Sequence, residues 1–345
     1  IGTFGRSAWV LDDIRPLREL AREGVSLLEK AVHVYPTPTA YQASNIQAAG
    51  TRFRADAIFA GENRPGGARI TYSIDPEAWT SVGSSDEDAD ASSTAKAPDK
   101  VTIEIMEGDE VIRTFNGPAK EGMNRAIWSM NRKGVRGPSR IAPCPNASEP
   151  SGPQVLPGTY GVRVIYGADT TMTTIAVEPD PRYEKDMNAL RARHALYREY
   201  ESMVETAASM MDRVREAKDL VSRVNSNLGE RDDDEANELK KQGKVVTDSL
   251  DAFQDMYFGE QGKQGIYRPP STISNKISGA GRYLLSSDRT PNTPEDWSMS
   301  AGRLALEDML GQVNAFIATE WANYMESVRA SDAFRIDDLA PIEKK

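Results

Sequence analysis

Cysteine and histidine are almost missing from this chain of 345 residues, and each scarcity removes a class of function. The one cysteine, Cys144, can build neither an intrachain disulfide framework nor a Cys-based zinc cluster, and in its proline-rich surroundings it reads as a free thiol. The two histidines, His33 and His194, have no second histidine or carboxylate at the spacing a zinc site uses, and no G-x-S-x-G elbow accompanies them. Phosphate-cradling loops are lacking too, since the Arg64-Pro-Gly-Gly-Ala stretch has neither the glycine spacing nor the following lysine. No apolar run approaches the roughly 18 residues of a membrane span. Positive charge is also short: 42 Lys and Arg face 52 Asp and Glu, a net charge of −10, with no basic patch for a nucleic-acid backbone.

What is present begins with strict alternation. Val101, Ile103 and Ile105, and again Tyr160, Val162 and Val164, place every second side chain on one face, the pattern of half-buried strands. Glu107-Gly-Asp and Pro157-Gly158 supply turns, and ARITYSI, with Ile70, Tyr72 and Ile74 on one side, is the first firm strand. Residues 51–182 are therefore expected to form an Ig-like antiparallel β-sandwich. It carries two low-complexity loops, one over residues 81–98 and one, rich in proline, over residues 133–154. Asn146-Ala-Ser148 in the second loop has the form of a glycosylation sequon.

Ahead of the sandwich, residues 1–50 read as a strand over residues 2–14, a short helix from Pro16 to Lys30 capped by Asp13, and an extended connector from Val32 to Tyr41. The helix is expected to bury Leu17, Leu20, Leu27 and Leu28. Ile1 is no initiator methionine and the opening reads as a strand in mid-flow, so we expect the C-terminal piece of a longer protein.

After Arg182 the hydrophobic period changes from 2 to 3.6. Tyr200, Met203, Ala207, Met210, Val214, Ala217, Val221, Val224 and Leu228 step by three and four without a break, a seam on a long helix that Gly229 ends. Asp232 to Asp234 put negative charge at the start of a second helix with a stripe of Leu239, Val246, Leu250, Phe253 and Tyr257. A short helix spans Thr272 to Leu285. A last long one opens at Thr293, taken as N-cap, and buries Leu306, Leu310, Val313, Ile317, Trp321, Tyr324 and Val328. The fold class is thus α+β, with an antiparallel helical bundle over residues 183–335 and a polar tail over residues 336–345.

Carboxylates remain as candidates for chemistry, because glycoside hydrolysis needs only a pair at a defined separation. Asp12 and Asp13 point to opposite faces if they end a strand, so capping is their expected role; Asp180 and Asp288 are the others. Asp86, Asp88 and Asp90 repeat the opening of a calcium loop, but Ala91 and Ala97 stand where the glycine and the bidentate glutamate belong. Met203, Met210 and Met211, with the aromatics at 321 and 324, read as core rather than as a ligand box. No residue is assigned a catalytic, cofactor-binding or metal role, and no cofactor is expected.

GRSAWVLDDIRPLREL, the Tyr35-Pro36 to Ala40-Tyr41 connector, NRPGGARITYSI, EVIRTF, GMNRAIWSM, LPGTYGVRV and SSDRTPNTPED together resemble the C-terminal region of bacterial secreted proteins with sortilin-like or BNR-type repeats, often labelled glycosyl-hydrolase-like. The stretches NRAIWSM and LPGTYGVRV are also similar to the Ig-like domain of flagellar hook-capping proteins. The first resemblance implies a β-propeller ahead of these residues, with Gly2 to Asp13 as its last strand, and a secreted, periplasmic or cell-surface location. It implies that any catalytic carboxylates lie on that propeller, so none is carried onto this chain. Two functions follow as expectations. One is a non-catalytic scaffold or interaction module that packs on the propeller or a partner chain; an exposed Tyr/Trp-rich patch would favour it. The other is an accessory region of a secreted glycoside hydrolase that helps hold a glycan. Neither nucleic acid nor a membrane span enters either expectation.

Overall fold

Alternation in the sequence becomes two sheets around one apolar cluster in the computed structural model, which describes residues 11–43, 65–79, 97–261, 271–287 and 289–331. The chain is a mixed α+β protein that divides into two units, Ile1–Gly134 with Ser148–Met187, and Val135–Ala147 with Asn188–Lys345. The first unit opens with helix α1 (Arg15–Glu23) and a 3-10 turn (Val25–Glu29), followed by strands β1 (Val32–Val34), β2 (Ala40–Gln42), β3 (Ala68–Ile74) and β4 (Lys100–Glu107). Then come β5 (Glu110–Pro118), β6 (Gly122–Trp128), β7 (Asn131–Lys133), β8 (Ser151–Gln154), β9 (Gly158–Tyr166) and β10 (Asp169–Pro179). One sheet runs β2-β10-β9-β4-β5, antiparallel except where β2 lies parallel to β10; a second runs β1-β3-β6; β7 pairs with β8.

Register places the expected inward residues opposite one another: Ile103 faces Val164 and Ile105 faces Val162, all fully buried. Gly108, at φ 62, closes the β4–β5 hairpin in the left-handed conformation that glycine adopts without strain. Trp128 packs edge-on against Tyr160 at 5.5 Å and satisfies its indole N–H on the Asn131 carbonyl at 2.8 Å, so the largest core side chain leaves no unpaired donor. The Tyr72 hydroxyl donates to the Pro118 carbonyl at 2.6 Å and ties β3 to the end of β5.

Several expectations are corrected in this unit. Strand β3 is buried on both faces, not one: Arg69, Thr71 and Ser73 are covered as fully as Ile70, Tyr72 and Ile74. Tyr35 lies over that second face, its N–H on the Thr71 carbonyl at 2.9 Å and its hydroxyl on Ser73 Oγ at 3.2 Å. The connector from Val32 to Tyr41 contains two short edge strands, and its prolines fall between them, where no ladder hydrogen bond is required. Helix α1 stops at Gly24 rather than reaching Lys30, and only Leu27 of its four expected core leucines is buried, with Leu17 50% exposed. Residues 11–14 form no strand. Most of the stretch over residues 2–14 expected as a strand, most of the loop over residues 81–98 and the tail over residues 336–345 lie outside the described residues.

The second unit holds helices α2 (Met187–Leu228), α3 (Asp234–Phe258), α4 (Ile273–Leu285), α5 (Thr293–Phe316) and α6 (Ala322–Ala330) around one apolar cluster. Seven of the nine seam positions on α2 are buried, Tyr200 and Ala217 partly so, and at 1.5 Å per residue the helix is roughly 63 Å long. Other helices approach α2 at glycines. A Cβ on Gly243 of α3 would lie 3.2 Å from Val221, one on Gly281 of α4 2.5 Å from the Tyr200 ring, and one on Gly302 of α5 3.4 Å from Met203. Asp233 caps α3, accepting from the Ala236 N–H at 2.9 Å; hydrogen bonding from Arg231 first, and from that backbone second, holds its carboxyl down at about 2.

Two details of the last helix differ from expectation. Its N-cap is Asn292 rather than Thr293, in a capping box with Glu295. The stripe is not continuous: Phe316 rather than Ile317 continues the buried face after Met309 and Val313, Ile317 is 40% exposed, and a π-helical turn over Ile317–Trp321 joins α5 to α6.

Arg193 closes the end of the helical core. Its guanidinium is buried, bonded to Glu295 Oε1 at 2.8 Å, to the Leu284 carbonyl at 2.8 Å and to the Arg289 carbonyl at 2.7 and 2.9 Å. Replacement Arg193→Met strands the Glu295 carboxylate, 4% exposed, and two carbonyls. Denaturant unfolding is expected to show a loss of about 3–5 kcal/mol, partly recovered when Glu295→Gln is added.

Candidate functional site

Of the residues that the sequence offers for chemistry, His33, Asp12, Asp13 and Asp180 are engaged in local structure. His33 Nε2 lies 3.1 Å from Glu19 Oε1 and its ring meets Tyr35 edge-on at 4.9 Å, which joins β1 to α1. His194 sits half-buried on α2 in the other unit. Asp12 pairs with the buried Arg69 at 2.8 Å, and Asp13 accepts from the Arg15 backbone at 3.1 Å and its guanidinium at 2.9 Å. Both carboxylates therefore serve arginines, and the N-cap Ile14 receives no side-chain cap from Asp13. Asp180 is buried with both its oxygens on Arg182 at 2.5 to 3.1 Å. Cys144 is a free, exposed thiol. Met203, Met210, Met211 and Tyr324 lie in the helical core, with Trp321 packed partly buried against it. Asp86, Asp88, Asp90 and Asp288 lie outside the described residues. Among the described residues no group of three or more His, Cys, Asp or Glu is placed to hold a metal ion.

Two apolar surfaces were not foreseen. The first is a groove of about 420 Å³ between α2 and the π-helical turn, floored by Val214, Ala217, Leu220, Phe316 and Trp321, with Arg213 and Arg223 among its lining residues. Ile317 and Trp321, the first and last residues of the π-turn, both line it. The second is the outer face of α5, where Trp297 is 72% and Leu304 67% exposed. Seven residues apart, they share one side of the helix, and Leu304 lies about 200° around the axis from the buried Leu306. A helical wheel drawn through Leu306 and Val313 puts both large apolar residues on the solvent side, a signal that was present in the sequence. Tyr283 and Leu285 at the end of α4 are exposed as well.

Comparison of the chain with family models, with curated proteins and with solved structures finds no match. Among the described residues no helix is long and apolar enough to cross a membrane.

Tyrosines in both units are held in their neutral form. Burial pushes the Tyr160, Tyr197 and Tyr324 hydroxyls from 10.0 to about 12, and pushes Tyr72 and Tyr257 up further. A tyrosine that holds its proton more tightly when folded contributes stability that is complete below its unfolded value near 10 and is lost as pH climbs toward 12. Unfolding midpoints are expected to be flat from pH 8 to about 10 and to fall above it. Tyrosinate absorbance should lag for these side chains until the fold opens.

Proposed function

We propose that this chain is a non-catalytic interaction module: an Ig-like β-sandwich followed by an antiparallel helical bundle, serving as the C-terminal part of a secreted or envelope protein that carries a β-propeller. The observation that supports this reading is the outer face of α5, where Trp297 and Leu304 stand in solvent on a helix whose other face is fully packed. Exposing a tryptophan and a leucine at one spot has no benefit for folding, and tryptophan is the residue most concentrated in the centres of protein interfaces. Asp12, Asp13, Asp180 and His33, by contrast, are committed to arginines or to local hydrogen bonds. The resemblance of the strand and helix-start motifs to propeller-linked proteins gives the partner its class.

Two assays test the proposal. A photo-crosslinking residue at position 297 is expected to capture, in cells, a protein with repeated four-stranded blades, and Leu304→Glu is expected to reduce that capture by at least about tenfold. Incubation of the purified chain with cell-wall and storage polysaccharides is expected to release no reducing ends. Polysaccharide turnover by the chain alone, or crosslinking that Leu304→Glu leaves unchanged, contradicts the proposal.

A further inference from the structure

Residues Val135–Ala147 lie between β7 and β8 in the sequence yet belong to the helical unit. The chain leaves and rejoins the first unit at a fixed point: Gly134 donates its N–H to the Pro150 carbonyl at 2.9 Å, and a Cβ on Gly134 would lie 2.5 Å from the Ser151 carbonyl oxygen. Only glycine fits so close an approach of two backbones. Between those ends no side chain is fully buried, with Val135, Arg136, Pro138, Ser139 and Arg140 half-buried and residues 141–147 exposed.

Charge holds this segment down. Arg136 pairs with Asp212 of α2, which also takes Arg215 at 2.8 Å, and Arg215 reaches the Ser139 carbonyl at 3.5 Å. Arg140 reaches three acceptors at the end of α3: Asp255 Oδ1 at 3.0 Å, the Gln254 carbonyl at 3.3 Å and the Gly259 carbonyl at 2.6 Å. Its guanidinium also lies 5.0 Å from the Phe258 ring centroid. Carbonyls in the last turn of a helix lack intrahelical donors, and a cation there meets the negative end of the helix dipole, so Arg140 acts as the cap of α3.

We propose that Val135–Ala147 is a salt-releasable strap on the helical unit. Closed, it caps α3 through Arg140; open, it lets the last turn of α3 fray. The physical basis is the contrast with the core. Partly exposed ion pairs are individually weak and are screened by salt, whereas the seam of α2 is apolar and is not. Its one apolar anchor, Val135, is only half-buried against the helical core at the start of the segment, so the rest opens well before the unit unfolds.

Hydrogen exchange on the full chain at about 20 mM and about 0.5 M salt tests the strap, because the screening length falls from roughly 21 Å to about 4 Å between them, down to nearly the length of the ion pairs themselves. Exchange in the strap and in the last turn of α3 is expected to rise by roughly three- to tenfold at high salt while the middle of α2 stays constant. Arg140→Ala should raise exchange at the end of α3 already at low salt and abolish most of the salt response there, with Arg140→Lys intermediate. Equal exchange at both salt concentrations, a uniform response of every helix, or an Arg140→Ala variant with an unchanged α3 end overturns the proposal.

Discussion

Everything in the helical unit depends on the apolar face of α2. Helices in folded proteins are stabilised mostly by packing of their apolar face, and α3, α4 and α5 press against α2 at Gly243, Gly281 and Gly302. Where no side chain intervenes, the neighbouring helix closes to van der Waals distance and the seam residues fill the space. At the amino-terminal end of this seam, apolar packing gives way to a buried guanidinium. Arg193 is buried with its charge met by Glu295, itself part of the α5 capping box, and with further hydrogen bonds to the Leu284 carbonyl of α4 and the Arg289 carbonyl of the loop that follows. One charge thus couples the end of α4, the start of α5 and the first third of α2.

The sheet unit solves the opposite problem. Its strands have polar backbones that must pair, and two of the five-stranded sheet's neighbours, β2 and β10, are sequence-distant segments running parallel. The polar face of β3 is not left to water but is covered, with Tyr35 bonded to Ser73 and Arg69 paired to Asp12. A cover of this kind fixes register, because sliding β3 by one residue would exchange its apolar and polar faces. The same residues that looked available for catalysis are therefore the ones that hold the amino-terminal segment on the sheet.

Local periodicity explains what was legible in the sequence. The alternation in β4 and β9, the stepped seam of α2 and the turn at Gly108 all follow from side-chain spacing alone, and the structure places them as expected. Contacts between segments far apart in sequence were not legible. Nothing near ARITYSI announces that Tyr35 will cover its second face, and nothing in a proline-rich run announces that Arg140 will seat on α3. The π-turn was missed for a subtler reason: a regular stripe through Ile317 and Trp321 is the simplest reading of the sequence, and the shift of the buried face to Phe316 leaves no mark on composition. Trp297 and Leu304 are apolar residues that fall off the core stripe of α5, and their exposure follows from that spacing.

The proposed interaction face lies on the outside of a packed helical support. Surfaces such as the α5 face and the groove beside Trp321 keep their shape only while the α2 seam holds them. The most direct measurement is residue-resolved hydrogen exchange on the full chain carrying Val221→Asp, which places a charge in the fully packed middle of that seam. The expected result is loss of protection throughout α2, α3, α5 and α6 while β4 and β9 remain protected. Retained protection along α2, or equal loss in the sheets and the helices, would contradict the account.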